Sequence, residues 1–174
     1  TGDIGFHTAR LLQGSGAQLF LTGRNAELLQ TNAQQLGLLG NQYLSVDLSM
    51  PEAGEKLAKA YFELFPTIDI LINAAGIGII KPLEQLTEED MLNSLQVNLL
   101  APYRLLKAFL PAMKTAKKGL IINIPGVLGK VPMAGAAAYS ASKYGLVGMM
   151  QSVREEIKRT DIRITNVFMG GVNS

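Results

Sequence analysis

The chain alternates short apolar runs with longer stretches in which apolar residues recur at helical spacing. We predict strands at 18–22, 43–46, 68–72, 120–124 and 162–168, and helices at 4–13, 25–36, 51–64, 88–117 and 138–159. The strand runs contain few polar residues, which is typical of strands buried on both faces of a parallel sheet. Because strands and helices alternate without a break in composition, we predict an α/β fold in one domain over residues 1–174.

Local signals locate several helix ends. Pro51 suits the first turn of a helix, where its missing N–H is not needed. Thr87 is a predicted N-cap, and the acidic residues at 88–90 behind it favour the positive end of the helix that follows. Within that helix, Pro102 and Pro111 are expected to produce a bend.

The expected architecture is a three-layer, doubly wound parallel sheet, the Rossmann fold. Parallel strands joined by right-handed helical crossovers give this arrangement, and its ligands bind at the carboxyl ends of the strands. Such a sheet needs a central strand before the first glycine turn, yet the sequence starts at Thr1. We therefore expect the first strand to be missing and the domain to be incomplete at both ends, because the sequence also stops at Ser174, just after a strand.

Composition excludes several classes of function. Hydrophobic residues make up 48% of the chain and charged residues 17%, so disorder is not expected. The net charge of +2 and the scattered basic residues give no surface for nucleic acid. With no cysteine and a single histidine, His7, we predict no disulfide, thiol nucleophile or metal site. No apolar run reaches the roughly 18 residues of a membrane helix, and we expect a cytoplasmic protein without a membrane partner.

Short motifs follow the predicted strands, at the edge where a ligand is expected. The turn Thr1–Gly5 precedes a helix, and glycines there let the backbone approach a pyrophosphate, although a plain capping turn also fits. Sites selective for NAD place an acid after the second strand. Here that position is Gly23, followed by Arg24, whose guanidinium can pair with a 2′-phosphate or lie in solvent. This favours NADP(H), with NAD(H) possible.

A tyrosine and a lysine form the strongest candidate for chemistry. Tyr139 and Lys143 lie one turn apart on the same face of the predicted helix 138–159. A tyrosine titrates near pH 10, and a neighbouring cation favours phenolate, which brings the pKa of Tyr139 towards neutrality. Asn98 is a polar residue in mid-helix, which a hydrogen bond between buried helices also explains.

Taken in order, these motifs resemble the short-chain dehydrogenase/reductase family of NADP(H) type, over essentially the whole chain. The match includes Asn73-Ala74-Ala75-Gly76, Val97-Asn98-Leu99, Tyr139-x-x-x-Lys143 and, more weakly, Met169 to Ser174. The resemblance implies that Tyr139 transfers a proton, Lys143 lowers its pKa and holds the nicotinamide ribose, and Asn98 holds a relay water. It further implies cofactor contacts from Gly2, Ile4, Gly5, Arg24, Asp47, Leu48, Asn73, Ala74, Gly76, Tyr139, Lys143, Val172 and Ser174.

The sequence departs from the family pattern at two positions. Asp3 stands where the middle glycine of the turn is expected, so either the loop is short or residues between Gly2 and Asp3 are missing, which we favour. Gly126 stands where the family has its catalytic serine, a donor to the substrate carbonyl. Loss of one such donor typically costs about 10²–10³ in rate. Ser140, Ser142 or a backbone N–H could take its place.

Two functional hypotheses follow. The first is an NADP(H)-dependent oxidoreductase that interconverts a small-molecule carbonyl and alcohol. The second is an NADP(H)-binding or scaffold protein with little or no turnover, motivated by Gly126 and the altered glycine turn. We also expect a homodimer or homotetramer through helices 88–117 and 138–159, because Met149, Met150 and Val153 look exposed. Ordinary core packing is the alternative explanation of these three residues.

Overall fold

A computed structural model describes residues 2–171 of the chain. Its strands are β1 Leu21–Gly23, β2 Tyr43–Ser45, β3 Ile70–Asn73, β4 Lys118–Asn123 and β5 Asp161–Asn166. Its α-helices are α1 Asp3–Gly14, α2 Ala26–Gln35, α3 Ala53–Phe62, α4 Glu88–Leu95, α5 Ala101–Ala116 and α6 Ala137–Ile157. Each predicted strand and helix is therefore present, with ends that differ from the prediction by a few residues.

All strand pairs are parallel, as predicted. β1 pairs with β2, and β3, β4 and β5 pair in that order. Among residues 2–171 no strand joins β1 to β3, so the predicted single sheet consists here of two hydrogen-bonded parts. In the larger part the strands end in register, because Asn73 pairs with Asn123 and Asn123 with Asn166. Residues that follow these ends are thus brought to one edge of the fold.

The main core lies between the larger part of the sheet and the helices α3, α5 and α6. Met113, Ile121, Leu146 and Met150 are fully buried in it. The prediction that Met150 is exposed is therefore wrong: Met150 packs in the core, and only Met149 and Val153 are partly accessible. No helix in the described range is both long and apolar enough to cross a membrane.

The predicted helix 88–117 is divided in two. Thr87 caps its start as predicted, because its hydroxyl accepts from the Asp90 amide and the Asp90 carboxylate accepts from the Thr87 amide, each at 3.1 Å. The helix does not simply bend at its prolines: a π-helical segment, Gln96–Leu100, separates α4 from α5.

Pro102 accounts for the position of this break. Pro102 has no N–H, so the carbonyl of Asn98, four residues earlier, has no donor in an α-helical register. The register widens just before Pro102, and Ala101 donates to the carbonyl of Gln96 instead. α5 then continues through Pro111 to Ala116.

Candidate active site

Tyr139 and Lys143 lie in the first two turns of α6, where the helix passes the end of β4. The Tyr139 side chain is half-buried and that of Lys143 is almost completely buried. Lys143 Nζ donates to the carbonyl of Ile124 at 3.2 Å and lies 5.5 Å from the centre of the Tyr139 ring. The two residues therefore share a helix face, as their spacing predicts.

Burial sets the protonation of this pair. Loss of solvation lowers the pKa of Lys143 to about 8, because burial penalises the ammonium. Burial also raises the pKa of Tyr139 above its ordinary value. Desolvation is the one cause of this rise, so the expected lowering of the Tyr139 pKa by Lys143 is not found.

Asn98 lies in the π-helical segment and is fully buried. Its Oδ1 accepts from the amide of Ile77 at 2.9 Å, and its Nδ2 donates to the carbonyl of Ile77 at 2.9 Å and to Ser142 Oγ at 3.0 Å. The side chain therefore fixes the loop after β3 against α6. The Asn98 main-chain carbonyl has no donor in an α-helical register, because residue 102 is proline.

Gly76 makes the close approach of these groups possible. A β-carbon built on Gly76 would lie 3.2 Å from Asn98 Oδ1 and 3.2 Å from Lys143 Nζ. A methyl group at this position would crowd both polar atoms, so the loop after β3 needs glycine there.

Gly126 lies opposite the tyrosine hydroxyl. A β-carbon at Gly126 would lie 3.5 Å from Tyr139 Oη, so a side chain here would point at the reacting group. The backbone has φ 73° and ψ 171°, a conformation that is almost restricted to glycine. The Ser142 hydroxyl does not face Tyr139 Oη as a donor, because it donates to the Tyr139 carbonyl at 2.7 Å within the helix. Ser140 Oγ is buried and has no partner within residues 2–171.

Three asparagines form a ladder across the strand ends, which the sequence analysis missed. Asn73 Nδ2 donates to Asn123 Oδ1 at 2.8 Å, and Asn123 Nδ2 donates to Asn166 Oδ1 at 3.0 Å. Asn73 Oδ1 is buried and has no partner in the described part of the chain. The signal was available, because each asparagine is the last residue of its strand. The ladder uses the Asn73 amide within the sheet, so a cofactor contact from that side chain stays a prediction.

Arg24 and Asp47 follow β1 and β2, away from the tyrosine. Asp47 Oδ1 accepts from the Ser49 amide at 3.0 Å and from its hydroxyl at 2.7 Å. These bonds lower the pKa of Asp47, and the charge of Arg24 lowers it further. Arg24 itself is exposed, while Leu48 next to Asp47 is partly buried. The guanidinium is therefore accessible to an anionic ligand.

The start of α1 lies beside the loop after β3, since a β-carbon on Gly5 would be 3.8 Å from that of Ala74. Gly2 is the N-cap and supplies no side-chain bond, so first-turn amides near Ile4 are free to bind an anion. Asp3 in that turn opposes an anion. With Gly76 beside Lys143 and with the exposed Arg24, these residues fit a nicotinamide dinucleotide, and Asp3 is the one unfavourable group. Val172 and Ser174 lie outside the described residues.

Comparison with known proteins assigns the family. A family model described as short chain dehydrogenase matches residues 1–174. The chain belongs to the short-chain dehydrogenase family. Its members are oxidoreductases, and the parallel α/β architecture of this short-chain dehydrogenase is the Rossmann-like fold of its relatives.

Several relatives place the protein within that family. Carbonyl reductase family member 4 of Danio rerio is 35% identical over 171 residues, which cover 98% of this chain and 72% of that protein. The crystal structure of a metagenomic short-chain oxidoreductase in complex with NADP is 40% identical, with a TM-score of 0.87, and the match covers 97% of this chain and 78% of that one. Dehydrogenase/reductase SDR family member 7B of Bos taurus is 30% identical, and the chain spans only 56% of its length.

The buried ammonium predicts a pH-dependent stability. The pKa of Lys143 falls from 10.5 to about 8, which corresponds to roughly 3 kcal/mol. Below pH 8 the lysine is charged in both the folded and the unfolded protein, and the folded protein is destabilised by this amount. The unfolded chain binds the extra proton between pH 8 and 10.5, so the stability of the wild type relative to Lys143→Met rises across that window. Urea unfolding of both proteins from pH 7 to 11 measures the difference. Measuring Tyr139→Phe and the double variant Tyr139→Phe/Lys143→Met in the same way removes the titration of the tyrosine. A difference in stability that does not change with pH would contradict burial of the charge.

Proposed function

We propose that this short-chain dehydrogenase is an NADP(H)-dependent oxidoreductase that interconverts a carbonyl and an alcohol. The observation that carries the proposal is the cluster of Tyr139, Lys143 and Asn98 beside Gly76, next to the ends of β3 and β4. The relative in complex with NADP and the relative named as a carbonyl reductase support the same cofactor and substrate class.

In this proposal Tyr139 is the proton donor. A reduced nicotinamide dinucleotide held here would supply the hydride for the carbonyl carbon. Tyr139 Oη would deliver the proton to the carbonyl oxygen, so that an alcohol forms. The raised pKa of Tyr139 suits this direction, because the phenol stays protonated until the oxygen becomes basic. Lys143 then stabilises the tyrosinate, since its ammonium lies 5.5 Å from the ring centre.

Asn98 acts as a positioning residue in this scheme. Its side chain fixes the Ile77 backbone and Ser142. Its main-chain carbonyl, left without an α-helical donor by Pro102, is available to a water that returns a proton towards Lys143. The side-chain bonds hold the loop after β3 and the helix α6 in a fixed relation around Tyr139 and Lys143.

Cofactor selection is proposed to depend on Arg24. Gly23 leaves no carboxylate to hold a free ribose hydroxyl, and the exposed guanidinium of Arg24 can pair with the 2′-phosphate of NADP(H). NAD(H) remains the weaker ligand. Gly2, Ile4 and Gly5 would hold the pyrophosphate, Asp47 and Leu48 would border the adenine, and Asn73, Ala74, Gly76, Val172 and Ser174 would line the remainder.

Gly126 supports a second candidate, a nucleotide-binding protein with little turnover. No side chain at this position donates to a substrate oxygen, and the backbone conformation favours glycine alone. Under this hypothesis the dinucleotide binds as in the first one, and only the chemical step is lost. Turnover and binding therefore have to be measured separately.

A second copy of the chain is the proposed partner. A groove of about 520 Å³ lies between α5 and α6. Its apolar lining includes Leu110, Met149 and Val153, while Lys107 of α5 and Glu156 of α6 supply opposite charges. In an isologous contact each copy presents both charges, so the lysine of one copy can pair with the glutamate of the other. The homodimer or homotetramer and the cytoplasmic location stay predictions.

Arg24→Ala should weaken NADPH binding by about tenfold or more, because a charge-assisted pair with the 2′-phosphate is lost. NADH affinity should be unchanged. Fluorescence titration of the full-length protein measures both, with Arg159→Ala as the control for loss of one exposed cation. Equal binding of NADPH and NADH by the wild type would contradict the assignment of Arg24.

Tyr139→Phe should lower carbonyl reduction by about 10²–10⁴, the usual contribution of a general acid, while NADPH affinity changes little. Oxidation of NADPH with a panel of aldehydes and ketones measures turnover. The outcome that favours the binding-protein hypothesis is tight NADPH binding by the wild type together with a turnover no higher than that of Tyr139→Phe on every substrate.

Met149→Glu should convert the oligomer to a monomer, because it places a charge in the apolar groove between α5 and α6. Light scattering after gel filtration at micromolar concentration gives the mass directly. Leu39→Glu, which changes a residue that is already 68% exposed, is the matched control. A monomeric wild type would end the proposal.

A further inference from the structure

An arginine on α5 connects the two groups of site residues. Arg104 Nη1 donates to the carbonyl of Ser49 at 2.9 Å and, more weakly, to that of Leu48 at 3.4 Å. Its Nη2 donates to Gln96 Oε1 at 2.7 Å. We propose that Arg104 is a positioning residue that holds the turn after β2 in the shape that receives the adenosine half of the dinucleotide. This inference rests on the proposed function.

Two sets of bonds hold this turn. Asp47 Oδ1 accepts two bonds from Ser49, and the Asp47 carbonyl accepts from the Met50 amide at 3.2 Å. Arg104 donates to the next two carbonyls, those of Leu48 and Ser49, and so ties the turn to α5. Asp47 and Leu48, the residues proposed to border the adenine, therefore owe their position relative to the helix layer to this guanidinium.

The partners of Arg104 indicate that geometry, not charge pairing, is its contribution. All of its hydrogen bonds go to neutral acceptors, and it forms no ion pair with any described carboxylate. The planar guanidinium reaches the turn and Gln96 in different directions at once, which a lysine ammonium on a single flexible stem does less well. The side chain is partly buried, so these bonds are partly shielded from water.

The second arm of Arg104 reaches the catalytic half of the site. Gln96 opens the π-helical segment, and Asn98 lies two residues further along it. Gln96 is therefore the anchor on the helix layer for the guanidinium that holds the turn after β2. Gln96→Leu removes the acceptor that orients the guanidinium. It should therefore reproduce part of the loss of affinity expected for Arg104→Met.

The test uses the two halves of the cofactor as probes. Adenosine 2′,5′-bisphosphate and reduced nicotinamide mononucleotide are titrated calorimetrically into the full-length wild type, Arg104→Met, Arg104→Lys and Gln96→Leu. We expect Arg104→Met to weaken binding of the bisphosphate about tenfold, the usual scale of one charge-assisted hydrogen bond, and to leave the mononucleotide unchanged. Arg104→Lys should recover part of the affinity and Gln96→Leu should lose part of it.

Arg154→Lys is the matched control, because Arg154 also donates to a main-chain carbonyl, that of Ile164 at 2.7 Å, but on the far side of α6. Thermal unfolding of each variant shows whether a loss of affinity follows a general loss of stability. The inference would be overturned if Arg104→Met bound the bisphosphate as tightly as the wild type does. It would also be overturned if the variant lost affinity equally for the bisphosphate and the mononucleotide. A wild type that binds neither NADPH nor the bisphosphate would instead overturn the proposed function.

Discussion

The site depends on keeping one ammonium group almost out of water. Lys143 is 3% exposed, and its ammonium donates to the carbonyl of Ile124, just after β4. An ion in that position is costly unless the surrounding backbone is fixed, because a carbonyl that moves away leaves the charge without a partner. Three features fix the backbone around this ammonium. They are the asparagine ladder, the bonds between Asn98 and Ile77, and the absence of a side chain at Gly76.

Much of this arrangement could be predicted from residue types and spacing. The alternation of apolar runs gave the order of strands and helices, and residues directly after those runs, such as Arg24 and Asp47, lie at the sheet edge as expected. Tyr139 and Lys143 share a face because their spacing equals one turn. These predictions succeed because they rest on local periodicity, which tertiary contacts did not alter.

The predictions that failed required distances between residues far apart in sequence. Met150 looks like a surface residue in the sequence, but α6 packs both of its long sides, so the methionine lies in the core. The π-helical segment depends on Pro102 together with the bonds that Asn98 makes to another element. The pKa of Tyr139 depends on burial, which no motif encodes. Arg104 went unnoticed because it belongs to no pattern and acts through main-chain atoms.

The backbone at Gly126 limits what can be engineered in this loop. With φ at 73°, a serine introduced alone would lie on a strained backbone, at a cost of roughly 1–3 kcal/mol. A hydroxyl at this position therefore requires changes in the neighbouring peptide units as well as the substitution itself. A donor engineered elsewhere around Tyr139 avoids that strain.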